Sequence, residues 1–156
     1  MTRKADFDAE EWSTLLQGPP IAGMLVASVE RGGTIREGIS MARVYDETRR
    51  RDRDNELLDE IVGSRPELDP RGYRTPEELR EKGLARLREA VGILEQKATS
   101  EEVDAYKRFI IDLADTVARA HKEGGFMGFG RVEVSERESA MLDELASMLG
   151  VERPSG

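Results

Sequence analysis

The feature that most constrains the fold of this chain is a recurring signal for the start of a helix. In a capping box, a small polar residue at the N-cap and an acidic residue three positions later each accept a hydrogen bond from the other's backbone N–H group. The alternating apolar pattern of a β-strand is confined to residues 132–134, a stretch too short for a sheet. The capping boxes occur at Asp8/Glu11, Thr34/Glu37, Thr75/Glu78, Thr99/Glu102 and Ser135/Glu138. Together these patterns predict an all-α protein.

The spacing of the apolar residues divides the chain into helices. Seven are predicted, over residues 9–17, 20–31, 35–50, 54–62, 76–97, 100–123 and 136–149. Glycine- and proline-rich stretches separate them at 18–20, 32–33, 63–74 and 124–130. A chain of 156 residues is long enough for one domain of this kind. We therefore expect a single compact bundle of six to seven helices, with residues 1–63 and 76–150 as candidate halves of a duplication joined by residues 64–75.

The helix predicted over 100–123 has the broadest apolar face. At about 100° per residue, one stripe contains Val103, Tyr106, Ile110, Leu113, Val117 and Ala120, and Phe109 and Ile111 widen it on both flanks. The opposite side contains Asp104, Arg108, Asp112, Asp115 and Arg119, with Asp104/Arg108 and Asp115/Arg119 spaced for ion pairs. A helix with so broad an apolar arc contacts neighbours on several sides, and we expect it to be the central helix of the bundle.

Composition narrows the classes of function. The chain has no cysteine, which excludes disulfides, thiolate metal sites and cysteine nucleophiles. Its net charge of −8 argues against nucleic-acid binding, because phosphate recognition depends on clustered positive charge. The longest apolar run, residues 24–27, is far shorter than the roughly 20 residues that span a bilayer, and the first residues lack the apolar stretch of a signal peptide. We expect a cytoplasmic protein without a membrane span.

Two segments share the same order of features. Residues 26–33 lead into the box at Thr34, and residues 117–125 lead, after a loop, into the box at Ser135; each is an apolar helix with a charged last turn and a double glycine. These features recur in many helical proteins, and a duplicated helix pair is the alternative. Segments 30–37 and 134–145 resemble the tellurite-resistance protein B-like (TerB-like) family. The resemblance implies two pseudo-repeated helical halves and a stress-associated role, although Arg131-Val132 replaces the Asp-Gly typical of the family's second loop.

Two side chains that could take part in catalysis or ligand binding lie on or near an apolar helix face. His121, the only histidine, lies within about 20° of the apolar stripe, in the last turn of its helix. It either packs at the helix end, where a cation is favoured, or serves as a base or metal ligand, although no carboxylate lies three or four positions away. Arg80 lies near Leu87 on the apolar face of helix 76–97. Either its head reaches water or its guanidinium pairs with a carboxylate or an anionic ligand.

The loop at 124–130 combines four glycines with Phe126, Met127 and Phe129. It is not a phosphate loop, because no strand precedes it and no Gly-Lys-Ser/Thr follows. Two interpretations stay open. The three apolar side chains either plug one end of the bundle or form a tip that docks on a partner or a lipid.

The sequence lacks the signatures of the common enzyme sites, including the Glu-x-x-His pair of di-iron bundles, the Gly-x-Ser-x-Gly elbow and the dinucleotide fingerprint. We therefore expect a non-enzymatic interaction or accessory protein without a cofactor, TerB-like and stress-associated, that binds a protein partner or itself. One alternative is a cation-binding module that uses acidic loop residues such as Glu30 and Glu37, or the pair Asp112 and Asp115. The other is an enzyme with a site near His121 and Arg80.

Overall fold

The computed structural model describes residues 2–29, 42, 43, 45, 46, 50, 55–64, 72–123 and 136–153, with the backbone alone over 120–123. In this part of the chain every regular element is helical. A short 3-10 helix at Lys4–Asp6 precedes five α-helices, which are α1 (Ala9–Ser28), α2 (Glu56–Gly63), α3 (Pro76–Lys97), α4 (Ser100–Glu123) and α5 (Glu136–Leu149). The prediction of an all-α protein is confirmed.

The predicted helix bounds agree closely in the second half of the chain. Helices α3, α4 and α5 begin and end at the predicted residues, and α2 covers Glu56–Gly63 where 54–62 was expected. The helix expected over 35–50 lies mostly outside the described residues, although 42, 43, 45, 46 and 50 are helical. The expected total of six to seven helices is therefore not confirmed.

The prediction of separate helices at 9–17 and 20–31 is wrong. Helix α1 continues through Gly18, Pro19 and Pro20 without a break. A proline inside a helix removes one backbone donor, so Pro19 leaves the carbonyl of Leu15 without its usual partner four residues on. Tyr106 of α4 replaces that donor, because its hydroxyl donates to the Leu15 carbonyl at 2.7 Å. A contact from another helix therefore compensates for what local sequence rules treat as a helix break.

Capping chemistry fixes the helix starts that the structure describes. At α1, the Glu11 N–H donates to Asp8 at 2.8 Å and the Asp8 N–H donates to Glu11 at 2.9 Å. The reciprocal pair at α4 is Thr99 and Glu102, at 3.2 and 2.9 Å. At α3, Thr75 accepts from the Glu78 N–H at 3.1 Å, but the Glu78 carboxylate accepts from Arg74 instead of completing the box. The boxes at Thr34/Glu37 and Ser135/Glu138 include residues outside the described ranges.

Helices α1 and α4 share the centre of the bundle. Helix α4 packs against α1, α2, α3 and α5, while the most extensive contacts are those of α1 with α3 and α4. Gly83 lets α3 approach α1 closely, since a Cβ at this position would lie 3.1 Å from Ile21. The expectation that α4 is the single central helix is therefore not confirmed. None of the helices in the described ranges is both long and apolar enough to cross a membrane.

The described part of the apolar stripe of α4, from Val103 to Val117, is buried as its phase predicts. The opposite side of the helix is buried more than expected. Asp104, Arg108 and Asp112 are exposed. Asp115, expected on the same exposed side, is only 7% exposed, and it pairs with Arg119 at 2.7 Å as the spacing predicts. The assignment of Asp115 to the solvent face is wrong because four helices surround α4 and cover a wider arc than one stripe.

The N-terminal segment, residues 2–8, is bound at the start of α4. The Thr2 N–H donates to Glu102 at 3.1 Å, and the Thr2 hydroxyl donates to the same carboxylate at 2.8 Å. Both residues are buried. Lys97 adds a hydrogen bond to Glu11 at 2.7 Å, which links the end of α3 to the first turn of α1. Glu102 therefore caps α4 and binds the N-terminal segment with one carboxylate.

Candidate functional site

A surface groove opens where the end of α1 meets the first turns of α3 and α5. Its volume is about 370 Å³. We call it the α1/α3/α5 groove and define it by the residues that line it, which are Ser28, Val29, Pro76, Glu77, Arg80, Arg137, Ala140, Met141 and Glu144.

Local sequence signals position the helix ends that form the three walls of the groove, namely the end of α1 and the starts of α3 and α5. Thr75 caps α3 and Pro76 occupies its first turn, where a proline has no donor to lose. Helix α1 ends at Ser28, whose hydroxyl donates to the Leu25 carbonyl at 2.9 Å. On α5, Met141 is only 6% exposed, so its side chain forms the base of the groove.

The lining combines apolar and charged side chains. Val29, Pro76, Ala140 and Met141 supply the apolar surface, of which Pro76 and Ala140 are exposed and Val29 is half-buried. Methionine is flexible and polarisable, and it adapts to partners of different shape. The charged groups stand around this floor, an arrangement typical of protein interfaces, in which an apolar core has a polar rim.

An ion pair joins two walls of the groove. The Arg80 guanidinium donates to the Glu144 carboxylate at 2.7 Å, with the two side chains 59% and 35% exposed. Each sequence interpretation of Arg80 describes part of this geometry, because the head reaches solvent and also pairs with a carboxylate. Exposed pairs of this kind contribute roughly 0–1 kcal/mol to stability. Arg80 and Glu144 therefore shape the groove more than they stabilise the fold.

Other charged groups at the groove have no ion pair in the part of the chain that the structure describes. Glu77, in the first turn of α3, and Arg137, in the first turn of α5, are both exposed. Glu78 differs, since Lys82 pairs with it at 2.5 Å. The hydrogen bond from Lys82 lowers the pKa of the Glu78 carboxyl. Glu77 and Arg137 are thus available to charged groups of a bound molecule.

Besides Glu102, two carboxylates are buried away from this surface. Glu138 of α5 is 0% exposed, and Asp115 of α4 is 7% exposed. One oxygen of Asp115 accepts from Arg119 at 2.7 Å, and the other has no hydrogen-bond partner among the described residues. Asp112, the second member of the hypothesised cation pair, is exposed. Within the described ranges, no three or more histidine, aspartate and glutamate side chains come together as metal ligands.

A second cleft, of about 680 Å³, lies beside the N-terminal segment. Its floor includes Phe7 and Trp12, whose rings lie 5.9 Å apart. The Lys4 ammonium is 5.7 Å from the centre of the Trp12 ring, and the Lys97 ammonium is 5.6 Å from that of Phe7. Because cations of the chain itself already cover both rings, we interpret this cluster as the staple that fixes the start of α1.

The remaining sequence candidates have no described side chain. His121 lies in the last turn of α4, where the backbone alone is described. Glu30, Glu37, Phe126, Met127 and Phe129 lie outside the described residues. The cation-site and loop hypotheses that use them therefore stay predictions, as does the TerB-like relationship.

Of the groove residues, the sequence singled out Arg80 alone. Its position on an apolar helix face was the signal, and that signal is general for any arginine near a helix junction. Met141 and Ala140 read as ordinary core and surface positions of α5, because the neighbouring helix ends that make them a groove come from distant parts of the chain.

No protein-family model, no curated protein and no solved structure matches this chain.

Proposed function

We propose that this protein is a non-enzymatic interaction protein that docks a segment of a partner protein in the α1/α3/α5 groove. The observation that carries the proposal is the apolar floor of Val29, Ala140 and Met141 with charged side chains around it. Apolar surface that stays accessible inside a polar rim is typical of binding sites.

The shape of the groove favours a peptide segment as the ligand. Its volume of about 370 Å³ is at the small end of the range of roughly 300–1,000 Å³ for ligand pockets. It lies open between helices, the setting in which a partner helix or strand can insert one or two anchor side chains. A stress-associated, TerB-like role is part of the proposal, and its support is the resemblance of segments 30–37 and 134–145.

A single blocking substitution tests the groove. Ala140 is exposed, so Ala140→Arg should fill the groove and leave the fold intact, a point that thermal melting verifies. Ala85, also exposed but on α3 outside the groove, gives the matched control Ala85→Arg. Proteins captured from lysate by the wild type should be lost with Ala140→Arg and retained with Ala85→Arg. Equal capture by both variants would refute the groove as the docking site.

Titration with Ca²⁺ and Zn²⁺ separates this proposal from the cation-binding alternative. An interaction protein that docks peptides requires no saturable metal binding. A cation-binding module requires it, with loss of the signal in Glu30→Gln or Glu37→Gln. In isothermal titration calorimetry, a saturable heat of metal binding that depends on Glu30 or Glu37 would therefore favour the cation-binding alternative.

A further inference from the structure

Charged side chains of α2, α3 and α4 hold the N-terminal segment, at the other end of the bundle from the α1/α3/α5 groove. From α2, the Glu60 carboxylate accepts a hydrogen bond from the Lys4 N–H at 2.8 Å. From the end of α3, the Lys97 ammonium donates to the Asp6 carbonyl at 3.0 Å. Both of these side chains are exposed, whereas Glu102, which holds the segment from α4, is buried. The segment is therefore attached largely by hydrogen bonds to ionic groups.

Little of the segment itself is buried. Among residues 2–7, only Thr2 and Phe7 are buried, and the 3-10 helix at Lys4–Asp6 has no buried residue. Regions with few buried apolar contacts open at low free energy while the core stays folded. Asp8, in contrast, is fixed to α1 by its capping box with Glu11. Residues 2–7 can therefore detach about Asp8 without unwinding α1.

The segment covers Trp12, the single tryptophan of the chain. Trp12 is only 6% exposed. The Phe7 ring lies 5.9 Å from its ring, and the Lys4 ammonium lies 5.7 Å from its centre. Both contacts come from the segment, beside the cleft of about 680 Å³. Detachment of residues 2–7 would therefore uncover the indole ring.

Glu102 couples attachment of the segment to its own ionisation. Three groups donate to its carboxylate, namely the Thr2 N–H at 3.1 Å, the Thr2 hydroxyl at 2.8 Å and the Thr99 N–H at 2.9 Å. Hydrogen bonds to an ionised acceptor are roughly twice as strong as those between neutral groups. Protonation of Glu102 weakens all three, and two of them belong to the segment. Loss of this one charge therefore loosens the segment.

The charged groups on the surrounding helices act in the same direction. Three cations lie together here, Arg3 and Lys4 on the segment and Lys97 at the end of α3. Nearby carboxylates balance them at neutral pH, and acid neutralises those carboxylates and leaves the cations, which then repel one another. The carboxylates are Asp6 on the segment, Glu11 of α1, Glu56 and Glu60 of α2, and Glu102 of α4.

We propose that the N-terminal segment is a reversible cover for Trp12, which closes when Glu102 is ionised and detaches when Glu102 is protonated, while the helices stay folded. Because the closed state binds the ionised form, it is favoured at neutral pH and lost as the pH falls. The proposal is independent of the docking groove, which lies at the other end of the bundle.

An acid titration of the full chain tests the cover, because Trp12 is the only source of tryptophan fluorescence. Acrylamide quenching of Trp12 and far-UV circular dichroism are followed between about pH 7 and pH 3. Quenching should increase, and emission should move to longer wavelength, at a higher pH than the loss of the helix signal. Coincidence of the two transitions would show that the segment does not open separately, and the proposal would be wrong.

Two variants should open the cover at neutral pH. In Glu102→Gln the segment loses its ionised acceptor, and in Thr2→Ala it loses a donor while the cap between Thr99 and Glu102 stays intact. Amide exchange at Lys4 and Phe7 should become about tenfold faster in Glu102→Gln, as expected for local opening. Trp12 should be quenched more strongly in both variants, and helix content should be unchanged in Thr2→Ala.

Two controls match these variants. Glu101→Gln removes an exposed charge from the same turn of α4, and Thr2→Ser keeps the hydroxyl. Both should retain the quenching and exchange of the wild type. If Glu102→Gln proves unfolded by circular dichroism, the comparison of Thr2→Ala with Thr2→Ser decides. Quenching and amide exchange that stay at the wild-type level in Thr2→Ala, or that rise equally in Glu101→Gln, would refute the cover.

Discussion

The hydroxyl of Tyr106 donates a hydrogen bond of 2.7 Å to the carbonyl of Leu15, across 91 residues of sequence. Leu15 lies four residues before Pro19, so its carbonyl is the acceptor that the proline ring leaves unused. Burial, and to a smaller extent Tyr45, raises the pKa of the Tyr106 hydroxyl well above its ordinary value. The hydroxyl therefore stays protonated and able to donate even in alkaline solution.

Tyr106→Phe removes this donor and leaves a buried carbonyl without a partner. We expect the free energy of unfolding to fall by about 1–3 kcal/mol, measured by urea denaturation. Tyr45→Phe is the control: Tyr45 is also buried and packs edge-on against Phe109 at 5.1 Å, but its hydroxyl has no hydrogen bond to the described residues. A loss at Tyr45 as large as the loss at Tyr106 would show that the hydroxyl bond to Leu15 is unimportant.

Gly18 makes room for the same tyrosine. A Cβ at position 18 would overlap the Tyr106 hydroxyl and crowd its ring at 3.2 Å. Gly18→Ala should therefore destabilise the protein by about 1–3 kcal/mol, the usual cost of overpacking a core. Gly92→Ala lies in the interior of α3 with nothing within 4 Å of the added Cβ, and it should stabilise by about 0.5–1 kcal/mol through helix propensity. A thermal midpoint for Gly18→Ala at or above that of the wild type would contradict this account of Gly18.

The helix starts could be predicted from the sequence, whereas the continuity of α1 through Pro19 could not. Caps are local, since the N-cap side chain and its partner lie three residues apart. The starts of α1, α3 and α4 could accordingly be located at Asp8, Thr75 and Thr99. The continuity of α1 through Pro19 could not, because it depends on a tyrosine of α4 that no local rule connects with it.

The burial of Asp115 and the groove are two further features that local sequence rules could not predict. Helical phase gives the direction in which a side chain points, but not how many neighbouring helices cover that direction. Asp115 is therefore buried although it lies opposite the apolar stripe. The groove requires the end of α1 and the starts of α3 and α5 to meet, and these are separated by long stretches of sequence. Arg80 could be noticed from its phase, whereas its partner Glu144 could not be identified before the helices were placed.

Core positions on α4 should be far more sensitive than exposed ones. Ile110 and Leu113 are each 0% exposed, and Ile110→Ala or Leu113→Ala should cost about 2–5 kcal/mol by leaving a cavity. Asp104 is exposed on the same helix, and Asp104→Ala should stay within about 0.5 kcal/mol. Urea midpoints that fall equally at the two kinds of position would mean that the phase of α4 is wrong.

The carboxylate of Glu102 should make stability depend on pH. Burial raises the pKa of this carboxyl, but hydrogen bonds from Thr99 and Thr2 outweigh that effect and leave the pKa below its ordinary value. A pKa that is lower in the folded than in the unfolded state contributes stability above the unfolded value. That contribution is lost as the pH falls through the folded pKa. Glu102 should therefore stabilise the protein at neutral pH and cease to do so in acid.

Glu102→Gln tests this linkage, because glutamine keeps the size of the side chain and cannot ionise. Urea denaturation of the wild type and the variant between about pH 7 and pH 3 should give a difference in stability that is largest near neutrality and shrinks below about pH 4.5. Glu101→Gln is the control, since Glu101 is exposed in the same first turn, and its difference should change little over this range. A difference for Glu102→Gln that is constant with pH would show that Thr2 and Thr99 do not favour the ionised carboxylate. The link between the N-terminal segment and α4 would then depend on the shape of the side chain and not on its charge.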